Sequence, residues 1–267
     1  MHHHIDALII DLVSERMNGK NTSVRGIVLA GGEGKRLRPL SYYFQKCMIP
    51  IGSKQKPLLE YIIHLLRNHG ITDIALLVGY KHEQIVNYFN GGGRFGVKIT
   101  YVPDDPALKG TGGSLLNAYR RKVIHPHETL LVYYGDIVSA INITEMVKRH
   151  RQRGAVATIA LSNGYQVRVG VAEVKEGDVT GWTEKPTLNL NVGTGIMVLE
   201  ASTLHELEHL RQQYENLDLM THLIPRLIAT EQIVHAYVTN AFWLDVGSTE
   251  RYEKLDNELV DRFLPVG

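Results

Sequence analysis

A single cysteine, Cys47, excludes an intrachain disulfide and any zinc or iron–sulfur site built on several thiolates. No charge of one sign prevails either: 29 Lys and Arg stand against 28 Asp and Glu, a formal net charge of +1. Binders of duplex nucleic acid and polybasic membrane proteins carry a basic excess, so neither is expected here, although a small basic pocket is compatible with this balance. Long hydrophobic runs are missing as well. Stretches such as Ile74–Gly79 and Leu130–Tyr134 fall far short of the ~18 residues that a membrane span needs. Ile5–Val13 is apolar but interrupted by Asp6 and Asp11, and it lacks the basic start and small-residue cleavage site of a signal peptide. The expected compartment is the reducing cytoplasm.

What is present is an ordinary globular composition, 267 residues with 44% apolar and 21% charged, and no repeat or low-complexity tract. Residues 1–24 read as an N-terminal extension. His2, His3 and His4 look like a tag remnant, Asp6–Arg16 has the pattern of a short amphipathic helix, and Asn18–Ser23 is a polar linker. Residues 25–267 are expected to form one domain. The Asn21-Thr22-Ser23 and Asn142-Ile143-Thr144 sequons carry no meaning in a cytoplasmic chain.

From Arg25 onward, short buried-strand patterns alternate with amphipathic helices. Strands are predicted at Gly26–Ala30, Ile74–Val78, Lys98–Val102, Thr129–Tyr134 and Val156–Leu161. Helices are predicted from Pro57 to Gly70, over Glu83–Phe89, Gly113–Arg121 and Asn142–Arg153. Beyond Gly164 the strands come closer together: Val169–Val174, Val179–Glu184 and Thr194–Leu199, with a turn at Pro186–Asn191. Helices at Ser202–Gln212 and Leu217–Thr230, strands at Val234–Val238 and Phe242–Asp245, and a final helix Thr249–Arg262 complete the chain. Such alternation indicates an α/β fold with a largely parallel sheet covered on both faces, whose ligands sit beyond the carboxyl ends of the strands.

The first strand runs into Leu29-Ala30-Gly31-Gly32-Glu33-Gly34-Lys35-Arg36-Leu37-Arg38-Pro39-Leu40. Gly31, Gly32 and Gly34 let backbone N–H groups converge on an anion, and Lys35 and Arg36 add positive charge beside them. Two familiar phosphate motifs fail on spacing. A dinucleotide fingerprint starting at Gly32 needs a glycine where Leu37 stands, and a Walker A loop needs Ser or Thr where Arg36 stands.

This segment resembles the signature loop of the sugar-1-phosphate nucleotidylyltransferases, also called sugar-nucleotide pyrophosphorylases, and the resemblance continues in order to about Asp256. Lys46 follows ten residues after Arg36, within Gln45-Lys46-Cys47-Met48-Ile49-Pro50, where Gln45 and Cys47 replace the family's usual prolines. Lys56-Pro57-Leu58-Leu59-Glu60-Tyr61 is similar to the next block, and Gly110-Thr111-Gly112-Gly113-Ser114 to a base-contacting loop. Gly135-Asp136, Glu184-Lys185-Pro186 and Trp243-Leu244-Asp245-Val246-Gly247 resemble the first metal carboxylate, the sugar-phosphate motif and the second metal carboxylate. One glycine loop is weak support, whereas five ordered motifs are strong.

The resemblance implies a Rossmann-like three-layer α/β/α fold with a mostly parallel mixed sheet, of the GT-A-like nucleotidyltransferase kind. It implies attack of a sugar 1-phosphate on the α-phosphorus of a nucleoside triphosphate, with Mg²⁺ held by Asp136 and Asp245. Arg36, Lys46 and Lys185 would be the catalytic cations. Leu29, Gly31, Gly32, Gly34, Thr111, Gly112 and Gly113 would bind the nucleotide, and Glu184, Gly170 and Thr194 the sugar. Gly193 stands where the family commonly has an asparagine near the sugar. Glucose or mannose 1-phosphate is the expected sugar, with heptose and amino-sugar phosphates as alternatives. The Gly-Thr-Gly-Gly variant leans toward guanylyl- and cytidylyltransferases. Homo-oligomer formation is left open, and a left-handed β-helix module is not expected in a chain that stops at Gly267.

Taken singly, these residues have plainer readings. Asp136 after Gly135 suits a turn, Glu184-Lys185-Pro186 suits a surface loop, and Lys46 suits a solvated one. His205-Glu206-Leu207-Glu208-His209 matches the H-E-x-x-H zinc pattern, but its polar surroundings favour coincidence, as does the polar loop around Ser53-Lys54-Gln55-Lys56 for S-x-x-K. A catalytically silent regulatory subunit is the main alternative, disfavoured by the intact charged set. A glycosyltransferase is disfavoured because no Asp-x-Asp motif occurs.

Overall fold

The computed structural model describes residues 23–167 and 169–265, so the expected Asp6–Arg16 helix lies outside the described residues. In chain order, β1 (Val24–Ala30) is followed by the ribbon strands β2 (Pro50–Ile51) and β3 (Lys56–Pro57) and by helix α1 (Leu58–Asn68). Next come β4 (Asp73–Val78), α2 (His82–Phe89), β5 (Lys98–Pro103), α3 (Gly110–Arg120), β6 (Thr129–Tyr134), β7 (Ile137–Ser139) and α4 (Ile143–Arg153). The second half holds β8 (Ala157–Gln166), β9 (Val171–Lys175), β10 (Asp178–Thr183), β11 (Thr187–Glu200), α5 (Leu204–Leu210) and α6 (Ile224–Ala229). It ends with β12 (Val234–Thr239), β13 (Trp243–Asp245), α7 (Thr249–Glu253) and α8 (Asn257–Phe263).

Seven strands form the central sheet in the order β12-β8-β11-β6-β1-β4-β5. Within it β11 runs antiparallel to both β6 and β8, and the remaining pairs are parallel. The period-two alternation of a strand sends Val28, Ala30, Leu131 and Tyr133 to one face, and Ile27, Leu130 and Val132 to the other. Each face meets its own apolar layer. On the first, α1 contributes Leu59, Ile62, Ile63 and Leu66; on the second, α3 contributes Leu115 and Leu116, and α5 contributes Leu204 and Leu207. Burial on both faces is why these strands read as continuous apolar runs, and it yields the three-layer α/β architecture.

Several element boundaries depart from the sequence expectation for identifiable reasons. Pro57 precedes α1 instead of opening it, because its backbone still pairs in the β2–β3 ribbon. The first turn of α3 already includes Gly110–Gly113, since Gly112 and Gly113 pack against Leu217 and Leu108. Strand β11 starts at Thr187, inside the expected turn, where Thr187 and Leu188 continue the ladder with β8. The final helix is two: Asp256 caps α8 by accepting from Glu258 N at 2.9 Å and Leu259 N at 3.1 Å, so the chain restarts there.

Charges at the amino end of the sheet are matched. The Arg25 guanidinium donates to Asp73 at 2.9 Å and, through Nε and Nη2, to Glu128, with the Nη2 bond at 2.8 Å. This clamp ties β1 to the starts of β4 and β6. Desolvation opposes ionisation of Glu128, but the hydrogen bonds from Arg25 and from the His125 amide, together with the Arg25 charge, outweigh it and hold its carboxyl below the usual range. Nearby, buried His150 meets Thr158 Oγ1 at 2.8 Å and Glu200 Oε1 at 2.9 Å, and Thr129 donates to the same Glu200 oxygen.

Candidate active site

At the carboxyl end of β1 the chain turns through Gly31–Gly34, with Gly34 at φ 64°. The amides of Gly32, Glu33 and Gly34 make no hydrogen bond among the described residues. Unpaired backbone donors at a loop beside basic side chains are suited to bind an anion. The turn lines a cavity of about 420 Å³ together with Leu29, Lys46, Thr111, Tyr134 and Asp136.

Lys46 owes its place to its neighbour. Gln45 is fully buried; its Nε2 donates to Ala30 O at 2.7 Å, and its Oε1 accepts from Cys47 N at 2.6 Å. Those bonds fasten the loop to the end of β1, supplying by hydrogen bonding the rigidity that prolines would otherwise give. Lys46 Nζ pairs with Asp136 Oδ2. Cys47 beneath them is buried, and burial, reinforced by the Asp136 charge, pushes its thiol up to about 12.

Asp136 follows β6, and Asp245 ends β13. These regions meet because β13 pairs antiparallel with β7, placing Asp245 opposite Ile137, while Val246 N donates to the Asp136 carbonyl at 2.8 Å. The convergence is defined by Gly247. A β-carbon there would lie 2.5 Å from Asp245 Oδ1, 3.1 Å from Asp136 Oδ2 and 3.2 Å from Arg36 Nη2. Three charged groups from distant parts of the chain therefore border one point, and only a residue without a side chain leaves it open. Thr249 Oγ1 donates to the carbonyls of Arg36 and Arg38, at 3.2 and 3.1 Å, which draws the glycine-rich segment to the start of α7. Arg251 pairs with Asp245 Oδ2.

The remaining expected site residues divide. Thr111 borders the cavity, its hydroxyl donating to Asp218 at 2.9 Å and accepting from Leu219 N. Gly112 and Gly113 are buried, and their amides donate to Leu217 O at 2.8 and 3.3 Å. Glu184 and Gly170 stand together beside Trp182, next to the exposed β9–β10 hairpin. Lys185 follows at φ 47° and is exposed. None of these three lines the cavity. Thr194 is buried and donates to Ala160 O at 3.0 Å, inside the sheet. The sequence did not single out Gln45, Tyr134 or Asp104 for the site, whereas Ser114, which also lines the cavity, belongs to the loop likened to a base-contacting one. Asp104 is the first residue after the edge strand β5, much as Asp136 follows β6.

The helix carrying His205 and His209 buries Leu204, Leu207 and Leu210, while its Glu206 accepts from Arg226 Nε at 3.0 Å. Among the described residues no group of three His, Cys, Asp or Glu side chains could hold a metal. No helix among them is long and apolar enough to cross a membrane.

The three-layer α/β fold thus carries, at the carboxyl end of its sheet, an amide turn, a basic cluster and two convergent carboxylates. Residues 25–262 match the family model for nucleotidyl transferases, and the chain belongs to that family. A UTP–glucose-1-phosphate uridylyltransferase of Synechocystis is 32% identical over 86% of this chain and 61% of its own length. The D-glycero-α-D-manno-heptose 1-phosphate guanylyltransferase of Aneurinibacillus thermoaerophilus is 30% identical over 88% of this chain and 98% of its own. The chain thus spans about three fifths of the first of these relatives and nearly all of the second. Among solved structures, one from Bacillus anthracis assigned as a glucose-1-phosphate thymidylyltransferase superposes with a TM-score of 0.72. It is 23% identical, covering 91% of this chain and 97% of that one, and it supports the fold.

Proposed function

We propose that this chain transfers a nucleotidyl group from a nucleoside triphosphate to a sugar 1-phosphate, releasing pyrophosphate and a nucleoside diphosphate sugar. The observation that carries the reading is the meeting of Asp136, Asp245 and Arg36 around the Gly247 backbone, with Lys46 and the amide turn bordering Asp136. In the reaction a phosphate oxygen of the sugar 1-phosphate forms a bond to the α-phosphorus as the bond to the β-phosphate bridging oxygen breaks. A phosphate monoester, with a second pKa near 6, is about fully dianionic above neutral pH and needs no strong base. The barrier is charge repulsion and alignment, which fixed donors and cations lower.

The amides of Gly31, Gly32 and Gly34 would cradle the triphosphate. Arg36 would grip the departing phosphates with its planar fork, and Lys46 would stand at the α-phosphate. Lys185 would hold the sugar phosphate, and Glu184 would accept from sugar hydroxyls, with glucose or mannose 1-phosphate as the proposed acceptor.

Asp136 and Asp245 suit Mg²⁺, because two carboxylates bordering one point leave coordination positions for water and phosphate oxygens. Lys46 and Arg251 neutralise these carboxylates in the protein itself. When bound, the ion would neutralise charge on the phosphate oxygens.

The test is a panel of nucleoside triphosphates and sugar 1-phosphates with Mg²⁺, read by pyrophosphate release. Turnover is expected with at least one pair. Asp136→Ala and Asp245→Ala should each lower kcat by about 10²- to 10³-fold, and Arg36→Ala should act largely through KM. A folded protein that turns over no pair would overturn the proposal.

A further inference from the structure

The pairing of Arg251 with Asp245 differs in kind from the Arg25 clamp. Arg25 bonds to residues 48 and 103 positions away and so joins separate strands. Arg251 pairs with a near neighbour in the chain, and its helix α7 is already fastened without that pair. Thr249 Oγ1 donates to the carbonyls of Arg36 and Arg38, and Tyr252 Oη donates to Pro50 O at 2.9 Å. Ser248 Oγ accepts from Arg251 N at 3.4 Å. As a strut the Arg251 side chain is redundant, so holding the fold together does not explain its charge.

The place of that charge is more informative. Asp245 Oδ1 accepts from Gly247 N at 2.6 Å and Oδ2 pairs with Arg251, so each of its oxygens has a partner. Asp136 Oδ2 is likewise paired with Lys46. A β-carbon at Gly247 would lie within 3.2 Å of Asp245, Asp136 and Arg36, which puts the Arg251 guanidinium at the edge of one cluster where two carboxylates face three cations. A divalent ion arriving alone meets carboxylates already neutralised and competes with a guanidinium for Asp245 Oδ2. A polyphosphate acts in the opposite sense, because its oxygens offer the planar guanidinium a two-pronged partner of higher charge than one carboxylate. Arg251 is able to answer it: the side chain is 29% exposed and extends from a backbone that Thr249 and Tyr252 hold in place.

Resting on the reading that this site takes a nucleoside triphosphate, we propose that Arg251 is a transferable cation, exchanged from Asp245 to the phosphates as the triphosphate binds. Arg251 is then a further substrate-binding residue, and its departure frees Asp245 Oδ2 for the divalent ion. Phosphate and metal bind cooperatively in consequence, since each relieves what opposes the other.

The test separates the two halves of the exchange with probes that carry no base. Binding of Mn²⁺ alone to the full chain and to Arg251→Met is followed by the electron paramagnetic resonance of the free ion. Binding of inorganic tripolyphosphate without metal is followed by calorimetry. The methionine variant should bind Mn²⁺ about 10-fold tighter, because a positive competitor for Asp245 is gone. It should bind tripolyphosphate about 10- to 100-fold more weakly, as for the loss of a hydrogen bond to a charged group. Arg251→Lys, which keeps the charge but not the fork, should fall between parent and methionine variant on both scales. Shifts of opposite sign are the signature, since a merely structural role would weaken both ligands together. Mn²⁺ binding that is weaker or unchanged, or tripolyphosphate binding that is unchanged, overturns the exchange, and the lysine variant carries the test if the methionine variant fails to fold. Opposite shifts in a protein that turns over no substrate pair would uphold the exchange and count against the transfer reaction instead.

Discussion

The two ends of the central sheet use the same residue types to opposite effect. At the amino end, Asp73, Glu128 and Glu200 are each met by a cation, an imidazole or a hydroxyl inside the fold, and the Arg25 clamp joins three strands. At the carboxyl end, the amides of Gly32 to Gly34 have no partner among the described residues, and Asp136 and Asp245, each paired with a cation at the cavity rim, are held facing one point. Charges matched between strands tie elements together, whereas two carboxylates converging on one open point crowd like charges that a bound cation can bridge. Stability and ligand chemistry are thus separated along the strand axis.

The largest effect that would test this separation is at Gly247. In Gly247→Ala the added methyl stands 2.5 Å from Asp245 Oδ1 and must displace a carboxylate. The expected result is a fall in kcat/KM of about 10²-fold with a melting temperature close to that of the parent. A large loss of stability with unchanged catalysis would erase the distinction between the two ends.

Arg25→Ala is the converse. Removing the clamp should reduce the unfolding free energy by about 1.5–3 kcal/mol, as for hydrogen bonds to charged groups, and leave kcat unchanged. Because the folded-state carboxyl of Glu128 titrates below its unfolded value, its contribution is present above the ordinary Glu pKa of 4.5 and is lost as pH falls through the lowered folded value. Urea denaturation of parent and variant should therefore differ most at neutral pH and converge in acid. A gap that widened on acidification would contradict the assignment.

The smallest effect sharpens the description of the site's floor. Cys47 is buried, and its thiol is pushed up to about 12. The folded protein should resist iodoacetamide at pH 8 and become labelled in denaturing urea, as mass spectrometry would record. Rapid labelling without denaturant would mean that the loop carrying Lys46 opens readily.

How much was legible follows from how local each signal is. Strands β1, β4, β5 and β6 are short apolar runs bounded by turn residues, and the glycine turn that follows β1 carries its reading in its own composition. Asp136 stood out because it ends such a run. The fate of Gly112 and Gly113 was illegible, because their amides are taken by Leu217, more than a hundred residues away. Thr194 likewise looks available in sequence, yet its hydroxyl is turned into the sheet toward Ala160. Gln45 replaces a proline without loss of order, since its buried amide reaches Ala30 and Cys47. Asp104 had a local signal, its position directly after a strand, but an acidic pair before a proline reads first as a turn.

The sequence by itself determined the layered α/β class, the glycine-rich turn and the charged residues available for chemistry, since period, glycine spacing and side-chain type are properties of neighbours in the chain. Which of those charges stand together was decided only in three dimensions. The β7–β13 pairing brings residue 245 beside residue 136, and the Thr249 hydroxyl draws in Arg36. The physical reason is that a charge has little meaning apart from its surroundings: whether a carboxylate is a strut or a ligand depends on which donors and cations the folded chain places within hydrogen-bond reach of it.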